Sequence, residues 1–298
     1  MPLSVSLLVT TYNWPLALAA CLKSIKIQTR LPDEIIICDD GSTSETALLI
    51  KKMQPEFEQI GVPLIHKWQE DLGFRLARSR NMGIAIASGD YIVTIDQDVV
   101  MDKHFIADHI KAASPGRMVA GRRIKLNNAQ SQMVINDQWM PSPFRGGLSL
   151  ELSFKAMRNS ILSSIISKST YTALGTLGCN MAFWRADALA INGFNAEFVG
   201  WGTEDYEFYQ RLVHFNGTKR YVLRHAATAY HLYHKEAVRD AIPANIRIVD
   251  EIVKDKIVYC RLGVNEFTDN DHHIPNNSSN LLYLKRRNAE ATCSTSVL

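Results

Sequence analysis

Tyr91-Ile-Val-Thr-Ile-Asp-Gln-Asp-Val99 is a charge-free run of apolar and β-branched residues that stops at two carboxylates one residue apart. Such a run reads as a central strand buried on both faces. Side chains alternate along a strand, so Asp96 and Asp98 are expected on one face, at the end where an open α/β sheet keeps its ligand site. Two hard anionic oxygens there suit a divalent cation holding a diphosphate. Taken alone, the pair is equally a surface turn with two acids. The flanking segments decide between these readings.

Upstream, the expected elements alternate. Val5–Thr10 reads as a strand, Leu16–Ile27 as a helix entered through Pro15, Glu34–Cys38 as a strand, Ser44–Phe57 as a helix and Pro63–Lys67 as a strand. That is the doubly wound pattern of a nucleotide-binding half, with ligand loops at the strand ends. A helix over Leu76–Ala87 then presents Arg75, Arg78, Arg80 and Asn81 ahead of the 91–99 strand. Arginines placed there could pair bidentately with diphosphate oxygens, or form an ordinary solvated face.

Downstream, a helix is expected over Met101–Ala113, a strand over Arg117–Gly121 and a polar loop from Lys125 to Pro143. Residues 151–166 carry helical spacing that suits either a membrane surface or a core cover. Gly175–Arg185 reads as strand, then short helix. Gly200-Trp-Gly-Thr-Glu-Asp205 comes next, with two glycines that permit close ligand approach, a flat Trp201, Thr203 as expected cap and acids in the first helical turn. Past a helix from Glu204 to Phe215, Tyr221–Arg224 reads as an edge strand. Thr228–His234 sets His231 and His234 three residues apart, which makes them plausible ligands beside an Asp-rich cation site. Helical spacing resumes from Glu236 to about Leu262, and the residues beyond Asn265 read as disordered.

Composition narrows the function classes. The 298 residues hold one large α/β domain or two ordinary ones, and 46% hydrophobic content is ample for a core. A net charge of +3 is too mild for a nucleic-acid partner but compatible with phosphate-bearing substrates or an anionic membrane surface. The five cysteines are scattered without CxxC spacing, which supports neither a zinc site nor a disulfide framework and points to a reducing cytoplasm. No run reaches transmembrane length, so membrane contact is expected to be peripheral, on an inner membrane.

The motifs Thr11-Tyr-Asn13, Asp39-Asp-Gly-Ser42, Asp71 to Asn81, Asp96-Gln-Asp98, Gly178-Cys-Asn-Met181, Gly200 to Asp205 and Tyr230-His231 together resemble family 2 glycosyltransferases of the GT-A fold. Within the family the pattern is most similar to the catalytic modules of bacterial chondroitin polymerase. Through Trp-Gly-x-Glu-Asp it also resembles animal β-1,4-galactosyltransferases and polypeptide GalNAc transferases. The resemblance implies an α/β, Rossmann-like, mostly parallel sheet flanked by helices in one catalytic domain. That domain would cover residues 1–265, with a nucleotide-binding half over 1–100, an acceptor-binding half over 101–265 and a polar tail over 266–298.

It implies site residues as well. Thr11, Tyr12 and Asn13, with Asp39 or Asp40 and Asp71, would line a uridine pocket, and Arg80 would lie near the diphosphate or ribose. Asp98 would ligate Mn²⁺ or Mg²⁺, with Asp96 on the ribose or the metal. Either His231, by the chondroitin pattern, or His234, by the galactosyltransferase pattern, would complete the coordination. Asp205 would be the catalytic base, Glu204 would hold donor sugar or acceptor hydroxyl, and Trp201 with Asn180 would shape the sugar sites. The implied reaction is inverting, metal-dependent transfer of a hexose or N-acetylhexosamine from a UDP-sugar to a glycan or lipid-linked glycan, in polysaccharide or lipopolysaccharide synthesis. A nucleotidyltransferase would want a Gly-rich basic loop after the first strand, and Thr10–Pro15 has none. A non-catalytic sugar-binding module would have no need of Asp96, Asp98 and Asp205.

Overall fold

The charge-free run lies at the centre of the molecule. The computed structural model describes residues 2–172 and 178–268. Its first half runs β1 (Val5–Thr11), α1 (Pro15–Lys26), β2 (Glu34–Asp39), α2 (Ser44–Glu58), β3 (Leu64–Trp68), α3 (Leu76–Ile86) and β4 (Tyr91–Asp96). The second half continues with β5 (Val99–Met101), α4 (Phe105–Ala112), β6 (Arg117–Ala120), β7 (Arg122–Lys125), α5 (Asn128–Ile135), α6 (Leu150–Ala156), α7 (Ser160–Ile166) and β8 (Lys168–Thr170). Then come β9 (Asn180–Trp184), α8 (Arg185–Ala190), α9 (Glu204–Asn216), β10 (Lys219–Val222), β11 (Thr228–His231) and α10 (Ile242–Lys254).

The main sheet has the order β3-β2-β1-β4-β9-β6-β10-β8, and a small sheet has the order β5-β11-β7. β1 through β4 pair in parallel, whereas β9 runs antiparallel to both β4 and β6. Alternation along β4 serves two cores. Tyr91, Val93 and Ile95 join the cluster that takes Leu18 and Leu22 of α1, and Ile92 joins the one that takes Ala77 and Ile84 of α3 and Phe208 of α9. Ile92, Val93 and Ile95 are fully buried, each contributing about 1.5–3 kcal/mol by transfer from water.

Several local expectations change. β4 stops at Asp96, because the chain turns at Gln97-Asp98 and Val99–Met101 crosses to pair antiparallel with β11. The next helix therefore starts at Phe105, not Met101. The expected loop over 125–143 contains α5, held at its start by a capping box between Asn127 and Gln130. The expected 151–166 helix is broken in two. At the break Arg158 binds Asp108 at 2.8 Å, Asn159 N–H bonds the His225 carbonyl at 3.0 Å and the Asn159 side chain caps α7. The strand expected at the sheet edge over 221–224 is β10, shifted to Lys219–Val222 and covered by β8.

Toward the C-terminus, helix forms only over Ile242–Lys254, and Val264–Glu266 adds a 3₁₀ turn whose Glu266 pairs with Arg78 at 3.0 Å. The rest of the expected disordered tail, residues 269–298, and residues 173–177 of the expected Gly175–Arg185 strand lie outside the described residues. Among the described residues, no helix is long and apolar enough to cross a membrane.

Candidate active site

The carboxyl ends of β1 and β4, the loop before α9 and the end of β11 enclose a cleft of about 780 Å³. Thr11, Tyr12, Asp40, Arg80, Asp96, Asp98, Trp201, Glu204, Asp205, His231 and His234 all line it. Residues read as one site from separated motifs thus meet in one cavity. Four others do not line it. Asp39 is fully buried, spent on His66 Nε2 at 2.8 Å and the Ser42 N–H at 2.8 Å. Asn13 instead pins the β1 loop to the β2 loop, accepting from the Thr43 N–H at 2.8 Å. Asp71 reaches the site only through the Tyr12 hydroxyl, 3.0 Å away.

Asn180, expected beside a sugar, is 1% exposed. Its amide NH₂ donates to the Arg122 and Ala227 carbonyls at 3.0 and 2.9 Å, and its oxygen meets His109 Nε2 at 2.9 Å. It ties the main sheet to the small one beneath the cleft. Of the two acids in Asp39-Asp40, Asp40 alone lines the cavity, with its Oδ2 accepting from the Arg75 N–H at 2.8 Å. Burial raises its pKa.

Asp96 and Asp98 part company because the strand ends between them. Asp96 keeps the alternation of β4 and faces the side of α3 and α9. There its Oδ1 accepts from the Thr10 hydroxyl at 2.6 Å and lies 3.4 Å from Arg80, whose other nitrogen holds Glu204 at 3.0 Å. Arg80 is 1% exposed. Burial opposes its charge, but Asp96 and Glu204 more than restore it, and its pKa is raised. Gly178 makes room for this guanidinium, since a Cβ there would lie 2.3 Å from an Arg80 nitrogen.

Past the strand end, Asp98 turns toward the small sheet. Its Oδ2 lies 3.5 Å from His231 Nε2 and 3.0 Å from His234 Nε2, and its buried Oδ1 has no partner. Both imidazoles spend Nδ1 on main-chain carbonyls, at Leu232 and Lys235, which leaves both Nε2 atoms aimed at Asp98. Trp14 packs edge-on against His234, ring centroids 6.2 Å apart. The hydrogen bond to Asp98 pushes His234 up to about 9. One carboxylate and two imidazoles within 4.8 Å of one another, with an orphaned oxygen among them, are a donor set that fits a divalent transition metal. The two histidines, alternatives in the sequence, converge on one point, and Asp96 stands outside their cluster.

Across the cleft, Asp205 sits in the first turn of α9 and accepts from the Gly178 N–H at 2.9 Å and from the Tyr206 N–H at 2.7 Å. Burial first, and then the neighbouring Glu204, push it up to about 7. The preceding loop has positive φ at Gly200 (79°), Gly202 (108°) and Thr203 (75°). Thr203 does not cap α9. Its left-handed backbone turns the hydroxyl away, and the Oγ1 is buried without a partner. Trp201 is 41% exposed, with Arg239 stacked 5.1 Å from its ring centroid.

Sequence reasoning passed over Gln97. It accepts from the Thr11 hydroxyl at 2.5 Å and donates to the Tyr12 carbonyl at 2.8 Å, clamping the β1 loop to the end of β4. Its place between two carboxylates was the available signal. Arg123 and Lys125 of β7, also on the cleft wall, had only their alternation about buried Ile124 to mark them.

A family model described as glycosyl transferase family 2 matches residues 6–175, more than half of the chain. The chain belongs to glycosyl transferase family 2. A second model, described as the N-terminal domain of galactosyltransferase, matches residues 162–235, which contain Trp201, Asp205 and His231. Validoxylamine A glucosyltransferase of Streptomyces hygroscopicus subsp. limoneus is 25% identical over 230 residues, covering 74% of this chain and 49% of that one. Chondroitin synthase of Escherichia coli is 26% identical over 227 residues, covering 70% and 32%. The chain thus spans about half or less of these relatives. S. aureus TarS 1–349 in complex with UDP superposes with TM-score 0.58 at 17% identity, covering 88% of this chain and 68% of that one. The expected glycosyltransferase GT-A architecture is the one this family 2 chain adopts.

Proposed function

We propose that this family 2 chain transfers a hexosyl or N-acetylhexosaminyl group from a UDP-sugar to a glycan hydroxyl, with inversion at the anomeric carbon. The observation that carries the reading is the pairing of an Asp98-His231-His234 cluster with a raised-pKa Asp205 across one cleft. The acceptor oxygen attacks the anomeric carbon as the bond from that carbon to the β-phosphate oxygen breaks. UDP leaves with that bond's electron pair, and the acceptor proton passes to Asp205. A carboxylate poised near neutrality suits that transfer. A divalent cation held by Asp98, His231 and His234 would supply Lewis-acid stabilisation of the charge gathering on the departing diphosphate.

Tyr12, braced by Asp71, and Asp40 stand at the nucleotide end of the cleft, at the carboxyl ends of parallel strands. Glu204, held by Arg80, and Trp201 frame the sugar sites. UDP bound to TarS and the name of the chondroitin synthase support a UDP donor and a polysaccharide acceptor. The test is release of UDP from a panel of UDP-sugars by the purified protein, with Mn²⁺ and then with a chelator. Metal-dependent turnover of one sugar is expected. Silence across the panel, with calorimetry also showing no binding of UDP and Mn²⁺, overturns the reading.

A further inference from the structure

α7 is built inside out. Over Ser160–Ile166 its buried residue is Ser163, at 7% exposure, while Ile161 and Ile165 stand 74% and 73% exposed. Ser163 faces Ser167, whose hydroxyl accepts from the Arg224 N–H at 3.0 Å. α6 repeats the pattern one helix earlier. Leu150 and Phe154, four residues apart on one face, are 91% and 58% exposed, with Ala156 buried beneath them. Burial of apolar surface drives folding, and these four side chains leave most of theirs in solvent, Phe154 resting one edge against the His225 ring at 5.2 Å. Phe144 and Tyr171, at either end of the same segment, are exposed as well.

Charge distribution identifies what covers this surface. The one acid between residues 144 and 171 is Glu151, paired to Lys155. Lys168 and Arg224 are exposed and have no carboxylate partner among the described residues. Arg224 lies close enough to Arg122 to depress its pKa, after the larger effect of burial. The same face of a second copy would bring like charge against like charge. A surface of fixed anions with an apolar interior answers both features.

We propose that residues 144–171, with Arg224, form a docking surface for an anionic lipid bilayer. Leu150, Phe154, Ile161 and Ile165 enter the interface, and Lys168 and Arg224 meet headgroup phosphates. The docking requires no particular donor or acceptor and stands independently of the transfer reaction.

Flotation of the full chain with vesicles of phosphatidylcholine alone, or mixed with phosphatidylglycerol, tests it. Binding to the mixed vesicles is expected, weakened by added salt as surface charges are screened. I161S/I165S removes two exposed side chains and is expected to lower partitioning roughly tenfold or more, with an unchanged thermal melt. K168E/R224E, both on the surface, is expected to abolish the preference for anionic vesicles. Failure of the wild-type chain to float, or equal flotation by I161S/I165S, overturns the proposal. So does concentration-dependent self-association that I161S/I165S abolishes, which would make the face a contact between copies.

Discussion

The two walls of the cleft are finished in opposite ways. On one, Arg80 sits between Asp96 and Glu204 at 3.4 and 3.0 Å and Thr10 also binds Asp96, so both carboxylates are paired although the Arg80 Nε is buried without a partner. On the other, Asp98 keeps a buried oxygen without a partner and turns its second oxygen to two imidazoles. Asp96 and Asp98 differ by two positions in sequence, yet one pairs with Arg80 and Thr10 while the other keeps an oxygen unpartnered beside two imidazoles. A buried polar group left unsatisfied costs free energy, and persists where a ligand later satisfies it. Asp205 belongs to neither wall: two main-chain N–H groups hold it, yet burial beside Glu204 keeps its proton loosely exchangeable near neutrality.

The largest expected effect comes from that third position. Asp205→Asn keeps the shape and both N–H contacts feasible but cannot take a proton, so transfer is expected to fall roughly 10²- to 10⁴-fold while calorimetric donor binding survives. Wild-type turnover should rise with pH through about 7, where Asp205 loses its proton, and the residual activity of the variant should lack that step. The stability sign is opposite. A carboxyl whose folded pKa is raised binds more protons folded than unfolded, so its contribution falls as pH climbs from the ordinary carboxylate range to about 7. Asparagine should flatten that slope in urea titrations, and an unchanged slope would remove Asp205 as its source.

Breaking the satisfied wall is expected to register as stability. Arg80→Met leaves Glu204 buried and Asp96 half-buried without their shared cation, and loss of one partner from a buried ion pair costs about 3–5 kcal/mol. Urea unfolding reads this directly. A cost near zero would mean that water replaces the guanidinium and that the wall is less dry than its burial indicates.

Breaking the other wall is expected to register first in metal binding. His231→Ala should leave unfolding nearly unchanged, whereas His234→Ala should also lose the stability its pairing with Asp98 gives below about pH 9; each should weaken Mn²⁺ binding by at least roughly tenfold, a scale that even indirect contacts to a metal reach. Calorimetry with Mn²⁺ alone measures it. Because both Nε2 atoms face Asp98, a loss confined to one variant would assign the ligand and leave the other imidazole as its neighbour. Asp96→Asn, by contrast, should scarcely change Mn²⁺ affinity.

How much of this was legible in the residues depended on how local the cause was. The β4 run could be read because a strand buried on both faces admits no charge, and β1 and the Ile35–Cys38 stretch of β2 carry the same mark. The end of β4 could not, because Val99–Met101 leaves for a partner strand more than a hundred residues downstream. Nothing near residue 97 announces that pairing. The capping box at Asn127 and Gln130 was a local signal for α5, masked by the polar residues around it. Asn180 was read toward a sugar because a motif draws the eye to its polar end. Its amide is consumed by carbonyls of two different segments, a fact of tertiary structure alone. Most of the residues that meet in the cleft were named through kinship, and their division into paired and unpaired required coordinates.

The smallest expected effect probes what holds Asp205 in place. Thr203 is a β-branched residue at φ 75° with its hydroxyl buried and unpartnered, immediately before the helix that carries Glu204 and Asp205. Both features are unfavourable, and neither serves as a helix cap. Glycine accepts this backbone without strain, so Thr203→Gly is expected to stabilise the fold by about 1 kcal/mol, less whatever chain entropy the unfolded glycine gains. If the strain serves only to close a tight turn, turnover should be unchanged. If Thr203 instead stiffens the approach to α9, the looser loop should lower turnover while donor affinity and the midpoint of the pH profile stay fixed, because Gly178 and Tyr206 still hold the carboxylate. A gain in stability joined to a loss in turnover would place stored strain on the Asp205 side of the cleft and leave the Asp98 wall free of it.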